Sequence, residues 1–311
     1  MKHWFKRPST RVGMYLGSQQ TWIAAVDALG DGLKVTHLAT KPTVTPELLG
    51  TTLKSWEDAL GNKNTTLVLP NEFCDQFSVD APPVSDKELR AAAPWAIREL
   101  ISYPIDDAVV DAFIIPTLNE AKAKPQMQAT AIRRSIVEKL CDAFQKAHVG
   151  ISAIDIEMLA LRNLTTLLGE FTRPIGVLFD LQDRALLLVL HESQIYLHRE
   201  LKFSSEQPTN FSLNMDSDFS FADNHSKSED IALDIQRVFD YFQNQFRSGT
   251  VSELHIIAAN TSEQEFYTEL NGIIGVSVQF HPLSELFAEL PLDNPDFGAM
   301  FALGAALREA S

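Results

Sequence analysis

Asp180 is the residue of this sequence best placed to do chemistry. It lies in residues 175–181, an otherwise apolar stretch, at the point where the chain turns. A carboxylate beside a buried strand is costly unless it has a partner, so the position indicates a site, or the remnant of one. The alternative is an aspartate that initiates the turn by bonding to its own backbone.

Asp155 and Glu157 form a second candidate, a pair of carboxylates suited to acid–base catalysis. They lie two residues apart and would share one face of a strand. Nothing nearby in the sequence indicates a substrate, and the favoured interpretation is a solvated turn. The eight histidines are scattered, and Cys74 and Cys141 are far apart and outside any CxxC pattern, so we expect no metal site and no disulfide.

The elements that carry these residues occur twice along the chain. Short apolar stretches separated by polar turns fill residues 11–38, and the same pattern returns in residues 175–201. Such stretches are typical of consecutive antiparallel strands, and residues 175–181 indicate a strand buried on both faces. One strand set opening each half predicts a duplicated α/β architecture.

The domain organisation follows from this repeat. We expect a first half over residues 11–155, which contains an inserted α+β unit at 74–150, and a second half over 156–311. Residues 1–10 read as a flexible basic and aromatic terminus. Residues 204–228 are rich in Ser, Asn and Asp and predict a mobile loop.

Helix signals are clearest in the inserted unit. Ser85 and Glu88 form a capping box before an apolar stripe, and Pro94 is expected to kink or split that helix. Ser135 begins a second capping box. Residues 297–307 are small and apolar, which predicts a helix packed tightly on a sheet.

Composition excludes several classes of function. Net charge is −15 for 311 residues, which argues against a general nucleic-acid binder. No apolar stretch reaches the roughly 18 residues of a membrane span. We do not expect the first residues to form a signal peptide, because no apolar region follows them. These residues place basic and aromatic side chains together on an otherwise acidic protein. We expect either a disordered terminus or peripheral contact with an anionic membrane. The membrane contact would be made by Lys2, Trp4, Phe5, Lys6 and Arg7.

Three segments, taken in order, resemble a known family. They are ELRAAAPWAI at 88–97 with YPIDDAVVD at 103–111, IALDIQRVFDYF at 231–242, and ALGAALR at 302–308. Each is similar to the PilM group of the actin-like ATPase superfamily, and within it to the biogenesis proteins of MSHA-type pili. The resemblance covers nearly the whole chain and implies a duplicated, ribonuclease H-like actin fold.

The first phosphate loop of that superfamily departs from its pattern here. The family sequence Gly-Ile-Asp-Ile-Gly-Ser, with a lysine four residues later, falls on residues 13–18 and Trp22. Gly17 and Ser18 are kept, whereas Tyr15 replaces the acid that organises metal-bound water and Trp22 replaces the lysine.

The other two loops are also altered. In the second loop, Asp180 is kept but Gln182 replaces the glycine; the Gly-Gly adenosine loop falls on Ala258 and Ala259. Side chains at glycine positions obstruct the approach of backbone N–H groups to phosphate. With neither the first acid nor the lysine, little remains to hold Mg²⁺. The resemblance therefore implies no ATP hydrolysis, no metal and no cofactor, with residual ATP binding as the alternative.

The resemblance also implies partners and a location. PilM-group proteins dock on the cytoplasmic tail of a single-span, PilN-like inner-membrane protein and link it to the assembly ATPase. The tail lies in a groove that involves the inserted unit, where we expect contacts from Trp95, Ile97, Ile101 and Tyr103, unless these are core residues. We thus expect a cytoplasmic scaffold at the inner membrane of a Gram-negative bacterium. The alternatives are an active or nucleotide-switched ATPase, and a type II secretion component; chains of the latter kind normally continue into a membrane span.

Overall fold

The structure is a computed structural model, and it describes residues 9–29, 32–60, 64–116, 125–202, 227–246 and 249–309. Within these ranges we number 13 strands and nine helices. The strands are β1 Ser9–Leu16, β2 Gln20–Leu29, β3 Gly32–Pro42, β4 Asn64–Leu69, β5 Cys74–Asp80, β6 Ala108–Ile115, β7 Gln126–Arg133, β8 Gly150–Ile156, β9 Ile175–Asp180, β10 Arg184–His191, β11 Gln194–Lys202, β12 Glu253–Ala258 and β13 Ser277–Pro282. The helices are α1 Pro46–Lys54, α2 Glu57–Leu60, α3 Asp86–Ile97, α4 Arg134–Lys146, α5 Glu157–Leu164, α6 Lys227–Phe246, α7 Gln264–Leu270, α8 Leu283–Leu286 and α9 Phe297–Ala306.

Two predictions concern residues outside these ranges. The basic and aromatic residues 2–7 lie there, and so does nearly all of the loop predicted at 204–228. The last two residues of that predicted loop, 227 and 228, belong to α6.

Two five-stranded sheets share one topology. The first has the order β3-β2-β1-β4-β8 and the second the order β11-β10-β9-β12-β13. In each sheet neighbouring strands among the first three are antiparallel. The central strand then pairs in parallel with the fourth strand, which pairs in parallel with the fifth. All six residues of β9 are buried, as expected for the central strand of a sheet covered on both faces. The predicted duplicated α/β architecture is confirmed.

The inserted unit is a three-stranded sheet with one helix. Its strand order is β5-β7-β6, and α3 covers one face with a core of its own. The sequence pattern placed the end of this unit at residue 150, but α4 packs on α1 and contributes Leu140, Ala143 and Phe144 to the large core of the first half. The insert proper therefore ends with β7.

Helix α9 packs so closely against the first sheet that backbone atoms of the two elements are in contact. A Cβ atom added to Gly13 of β1 would lie 2.1 Å from the Ala302 carbonyl oxygen, and one added to Gly304 would lie 2.0 Å from that of Ala160 in α5. Only glycine fits at either position. The predicted tight contact between this small-residue helix and a sheet is present. It joins α9, from the second half of the chain, to β1 of the first half, and α9 also packs on α5.

Local signals in the insert were predicted with mixed success. The Ser85 capping box forms, with both the backbone N–H and the hydroxyl of Ser85 donating to Glu88. Pro94 does not split α3, which runs without a break from Asp86 to Ile97. The second box does not form: α4 begins at Arg134, and the preceding residue makes no side-chain cap. Among the described residues, every helix is too short or too polar to cross a bilayer.

Candidate functional site

The chemically distinctive residues meet where the two sheets approach each other. Tyr15 is the next-to-last residue of β1, Glu157 is the first residue of α5 directly after β8, and Arg184 opens β10 of the second sheet. The carboxyl ends of parallel strands lie at one edge of a sheet, which is the edge where open α/β sheets bind ligands. The sequence thus brings one side chain from each of three elements to the expected position of a ligand.

These side chains form a continuous hydrogen-bonded chain. The Tyr15 hydroxyl donates to Glu157 Oε1 at 2.8 Å, and Arg184 Nη2 donates to Glu157 Oε2 at 2.8 Å. Arg184 Nη1 donates to Glu200 of β11 at 3.0 Å. The Glu157 side chain is only 2% exposed, whereas that of Arg184 is 21% exposed. Both carboxylate oxygens of Glu157 are therefore occupied by groups from different parts of the chain.

The electrostatics favour one protonation state. Burial, together with the Glu157 carboxylate, raises the pKa of Tyr15, so the phenol stays neutral and remains a donor. Burial opposes the charge on Arg184, but Glu157 and Glu200 outweigh it and raise its pKa. Burial and Glu157 also raise the pKa of the nearby Cys74 thiol to about 12, which keeps that thiol uncharged. The cluster contains neither a free base nor a thiolate nucleophile near neutral pH.

The prediction that Asp155 and Glu157 lie on a solvated turn was wrong. Both side chains are buried, and they point to different partners: Asp155 accepts from Arg308 at 2.7 Å, while Glu157 binds Tyr15 and Arg184. They are therefore two separate ion pairs and not an acid–base pair. The signal available in sequence was their place at the end of an apolar strand, where charges persist only when they are paired.

Side chains of neighbouring residues occupy the space around the first candidate phosphate loop. A Cβ atom on Gly17 would lie 2.8 Å from the Tyr15 ring, and the Gly17 carbonyl accepts from Thr43 at 2.6 Å. Ser18 is exposed in the turn. Trp22 is buried against Gly298 of α9, so the position of the family lysine belongs to the core.

The second loop explains Asp180. Its carboxylate Oδ1 accepts from the backbone N–H of Gln182 at 2.9 Å, which is the turn-initiating geometry. Gln182 has φ of 73°, a left-handed conformation that favours glycine, so the loop keeps a glycine-like backbone without the glycine. Asp180 also contacts Tyr267 of α7, where burial and this carboxylate raise the pKa of the phenol.

The remaining loop offers little room to a ligand. Ala258 and Ala259 are buried at the end of β12. The next residue, Asn260, accepts from the backbone of Ser262 at 2.9 Å and donates to the carbonyl of Pro295 at 3.3 Å. In the part of the chain that the structure describes, no three His, Cys, Asp or Glu side chains are grouped to hold a metal ion.

The four residues predicted to contact a partner are divided between surface and core. Trp95 is 68% exposed, with the Arg98 guanidinium 5.9 Å from its ring centroid. Ile97 is fully buried in the core of the insert, because α3 turns this side chain onto the sheet; the expectation that it faces a partner is wrong for this conformation. Ile101 and Tyr103 are half-buried, and burial together with Asp75 raises the pKa of Tyr103 to about 12.

A groove that the sequence did not reveal lies under the other face of the inserted sheet. It encloses about 350 Å³ between β6 and β7 on one side and β8 and α5 on the other. Ion pairs flank it, Arg90 with Asp111 at 2.9 Å and Arg308 with Asp155 at 2.7 Å. Between them lie mostly apolar or neutral side chains: Val109, Ala112, Phe113, Gln128, Thr130, Ile132, Val137, Ile154, Ile156 and Leu159.

Gln128 is the unusual member of this groove. Its side chain is buried, at 2% exposure, and its Oε1 atom has no hydrogen-bond partner among the described residues. Buried polar atoms are nearly always paired, so an unpaired acceptor in a groove marks a place for a donor. The alternation of β6 was the signal available in sequence, because it places Val109 and Phe113 on the strand face opposite Val110 and Ile114, which pack on the core of the insert.

Known proteins resemble this chain in structure but not in sequence. No protein-family model matches the chain, and no curated protein sequence matches it significantly. One similar solved structure is the PilM–PilN type IV pilus biogenesis complex, with a TM-score of 0.66, 17% identity, and coverage of 97% of this chain and 100% of that one. The chain has the actin-like ATPase fold.

A second similar structure is the cytoplasmic domain of EpsL, an inner-membrane component of the type II secretion system of Vibrio cholerae. The TM-score is 0.52 at 10% identity, and the match covers 97% of each chain. At these identities the two likenesses establish the fold alone. The predicted duplicated, actin-like fold is thereby confirmed over nearly the whole chain.

Proposed function

We propose that this protein is a non-catalytic scaffold of a type IV pilus assembly platform, which binds the cytoplasmic tail of a PilN-like inner-membrane protein. The likeness to the PilM–PilN structure, which covers that chain completely, supports this assignment. We also propose that the pilus is of the MSHA type, with this protein in the role of MshI, and that the protein lies in the cytoplasm at the inner membrane. The assembly ATPase is proposed as a further partner, and residues 2–7 are proposed to contact the membrane.

The cluster at the edge of the sheets supports the non-catalytic part. Hydrolysis of a nucleotide needs a group that orients water and a cation that neutralises charge on phosphate. Glu157 is already bound by Tyr15 and Arg184, and Tyr15 occupies the position of the missing acid. Both features oppose the binding of Mg²⁺ and a triphosphate.

The single observation that carries the binding part is the groove beneath the inserted sheet. It is lined mainly by apolar side chains, and it holds a buried acceptor, Gln128 Oε1, that has no partner in the part of the chain that the structure describes. An extended peptide can satisfy both features, because its apolar side chains can pack on the walls and its backbone N–H groups can donate to the Gln128 amide oxygen. The flanking ion pairs, Arg90–Asp111 and Asp155–Arg308, leave the groove without a large net charge, which suits an apolar tail.

Peptide binding tests this proposal directly. The probe is the fluorescently labelled cytoplasmic tail of the PilN-like protein from the same organism, measured by anisotropy with the intact chain. Val109→Arg and Thr130→Arg place long cations in the groove at positions that are only partly buried, so the fold is retained. We expect each to weaken binding at least tenfold, whereas Val84→Arg, at an exposed position outside the groove, leaves it unchanged.

A second pair of variants separates the groove from the outer face of α3. Trp95→Ala combined with Ile101→Ala removes two of the three predicted contact residues that retain exposed surface. If this pair abolishes binding and the groove variants do not, the contact lies on α3. Failure of the tail to bind the unaltered protein overturns the scaffold assignment.

Nucleotide binding is tested separately. Calorimetric titration with Mg-ATP is expected to show no saturable heat at micromolar concentrations. Micromolar binding that Asp180→Ala abolishes would instead support an active or nucleotide-switched ATPase.

The likeness to the EpsL domain favours a second candidate, a cytoplasmic component of a type II secretion platform. In that case the chain is expected to bind a secretion partner and to leave the PilN-like tail unbound. The anisotropy assay, repeated with the cytoplasmic segments of secretion-platform proteins, distinguishes the two assignments.

A further inference from the structure

A basic cavity lies between α1 and α4, on the side of the first half that neither the groove nor the edge cluster uses. It encloses about 300 Å³ and is lined by Gly50, Thr51, Lys54, Lys139, Asp142, Ala143 and Lys146. Three of these seven residues are lysines, and only one carries a negative charge. The chain as a whole has a net charge of −15, so this local excess of positive charge opposes the overall balance.

The three ammonium groups have no counterion in the described part of the chain. Neither Lys54, Lys139 nor Lys146 lies within 4.0 Å of a carboxylate oxygen there, although Asp142 lies on the same wall. All three lysines are exposed and free to turn toward the cavity. Like charges gathered around one cavity repel each other, and a bound anion removes that repulsion.

A glycine keeps the cavity open. Gly50 lies in the middle of α1, where glycine costs about 1 kcal/mol relative to alanine. A Cβ atom added there would meet nothing within 4 Å, so packing does not require the glycine. A side chain at this position would instead project into the space that the lysines surround.

The chemistry of the lining identifies the ligand class. Ammonium groups act as compact point charges with rotatable donors and bind phosphate oxygens well. A carboxylate offers two oxygens, whereas phosphate offers three or more to the three lysines that line the cavity. We propose that the cavity between α1 and α4 binds a phosphate group, carried either by an anionic phospholipid or by a free phosphorylated ion.

The cavity lies at one edge of the first sheet. Lys54 and Lys146 end α1 and α4, and the strands that follow, β4 and β8, begin at the same edge of the sheet as β1. All three lysines are exposed, so the phosphate of a lipid headgroup and that of a free ion can both reach them.

Titration with sodium diphosphate tests the site in the intact protein. We expect saturable heat by calorimetry, and at least a tenfold loss of affinity in the double variant Lys139→Gln/Lys146→Gln. The matched control is Lys34→Gln/Lys87→Gln, which removes two exposed lysines elsewhere and is expected to leave the affinity within twofold. Equal losses in both pairs, or no binding to the unaltered protein, overturn the proposal and leave Lys54 and Lys146 as charges that complement helix ends.

Two substitutions of Gly50 are expected to have opposite effects on the affinity for diphosphate. Gly50→Ala is expected to keep the affinity within twofold and to raise the melting temperature, whereas Gly50→Glu places a carboxylate among the lysines and is expected to abolish binding. If Gly50→Glu binds diphosphate as well as Gly50→Ala does, the ligand is not in this cavity.

Vesicle flotation distinguishes the two sources. The probes are phosphatidylcholine vesicles with and without 30% phosphatidylglycerol, a fraction of about one lipid in three chosen to give a negative surface potential. Retention that needs phosphatidylglycerol and falls at least fivefold in Lys139→Gln/Lys146→Gln assigns the site to lipid. Diphosphate binding without such retention assigns it to a free phosphorylated ion.

Discussion

Arg184→Met tests whether the edge cluster holds the two halves together. The substitution keeps an unbranched side chain of similar reach but removes the guanidinium that donates to Glu157 and Glu200. Glu157 is then left with one partner, the Tyr15 hydroxyl, at a site where its side chain is 2% exposed. The prediction is a marked loss of stability, because a buried carboxylate remains without its cation.

The magnitude follows from the burial of the pair. Breaking a buried ion pair by removing one partner costs about 3–5 kcal/mol, since the remaining charge is not solvated. The Arg184 side chain is 21% exposed, so we expect the lower half of that range. For a chain of this size, about 3 kcal/mol corresponds to a fall in melting temperature on the order of 5 °C.

Thermal unfolding followed by circular dichroism measures this loss, and two controls interpret it. Tyr15→Phe removes one hydrogen bond and is expected to cost about 1 kcal/mol. Glu157→Leu combined with Arg184→Met removes both charges, and replacing a buried pair by apolar side chains is commonly neutral or stabilising. A double variant as unstable as Arg184→Met alone, or a shift below about 1 °C in the single variant, refutes the reasoning.

Three further predictions concern other parts of the fold. Gly304→Val places side-chain atoms against the Ala160 carbonyl in the α5–α9 contact and is expected to cost about 3 kcal/mol or more, measured by urea unfolding. Ser85→Ala removes the cap of α3 and is expected to cost about 1 kcal/mol, with Ser85→Gly recovering most of it. Burial lowers the pKa values of His255 and His281, whose rings are joined by a 3.0 Å hydrogen bond. The unfolded chain therefore takes up protons first, so their stabilisation is present above the unfolded pKa of ~6.5 and is lost as the pH falls from there through the lower folded-state pKa; unfolding midpoints at pH 7.5 and 5.5 test this, and an equal midpoint at both would contradict it.

Much of the fold was predictable from sequence, because its main signals are local. The apolar residues of β9 and the polar turn after them indicate a buried central strand, and the earlier repeat of the same pattern indicates duplication. The boundary of the insert was less predictable. Helix α4 follows β7 without a break, and only its packing on α1 shows that it belongs to the first half.

The candidate site was predictable only in part, because its partners are distant in sequence. Tyr15 was recognised as a replacement for an acid, but its bond to Glu157 spans 142 residues and joins β1 to α5. Glu157 itself reads as an ordinary turn residue until Arg184 is placed beside it. Gln128 gave no signal, since a glutamine in a strand becomes informative only when its amide is buried without a partner.

The edge cluster also bears on whether this fold works as a switch. A ligand shifts a conformational equilibrium only through contacts that differ between the two states, and a large shift needs about 5 kcal/mol of differential affinity. Here Tyr15, Glu157 and Arg184 make the bridge between the sheets, and all three are part of the chain. Such a bridge is not released when a nucleotide leaves. Side chains of the chain itself therefore join the two sheets, and this supports the proposal of a constant docking surface over a nucleotide-gated one.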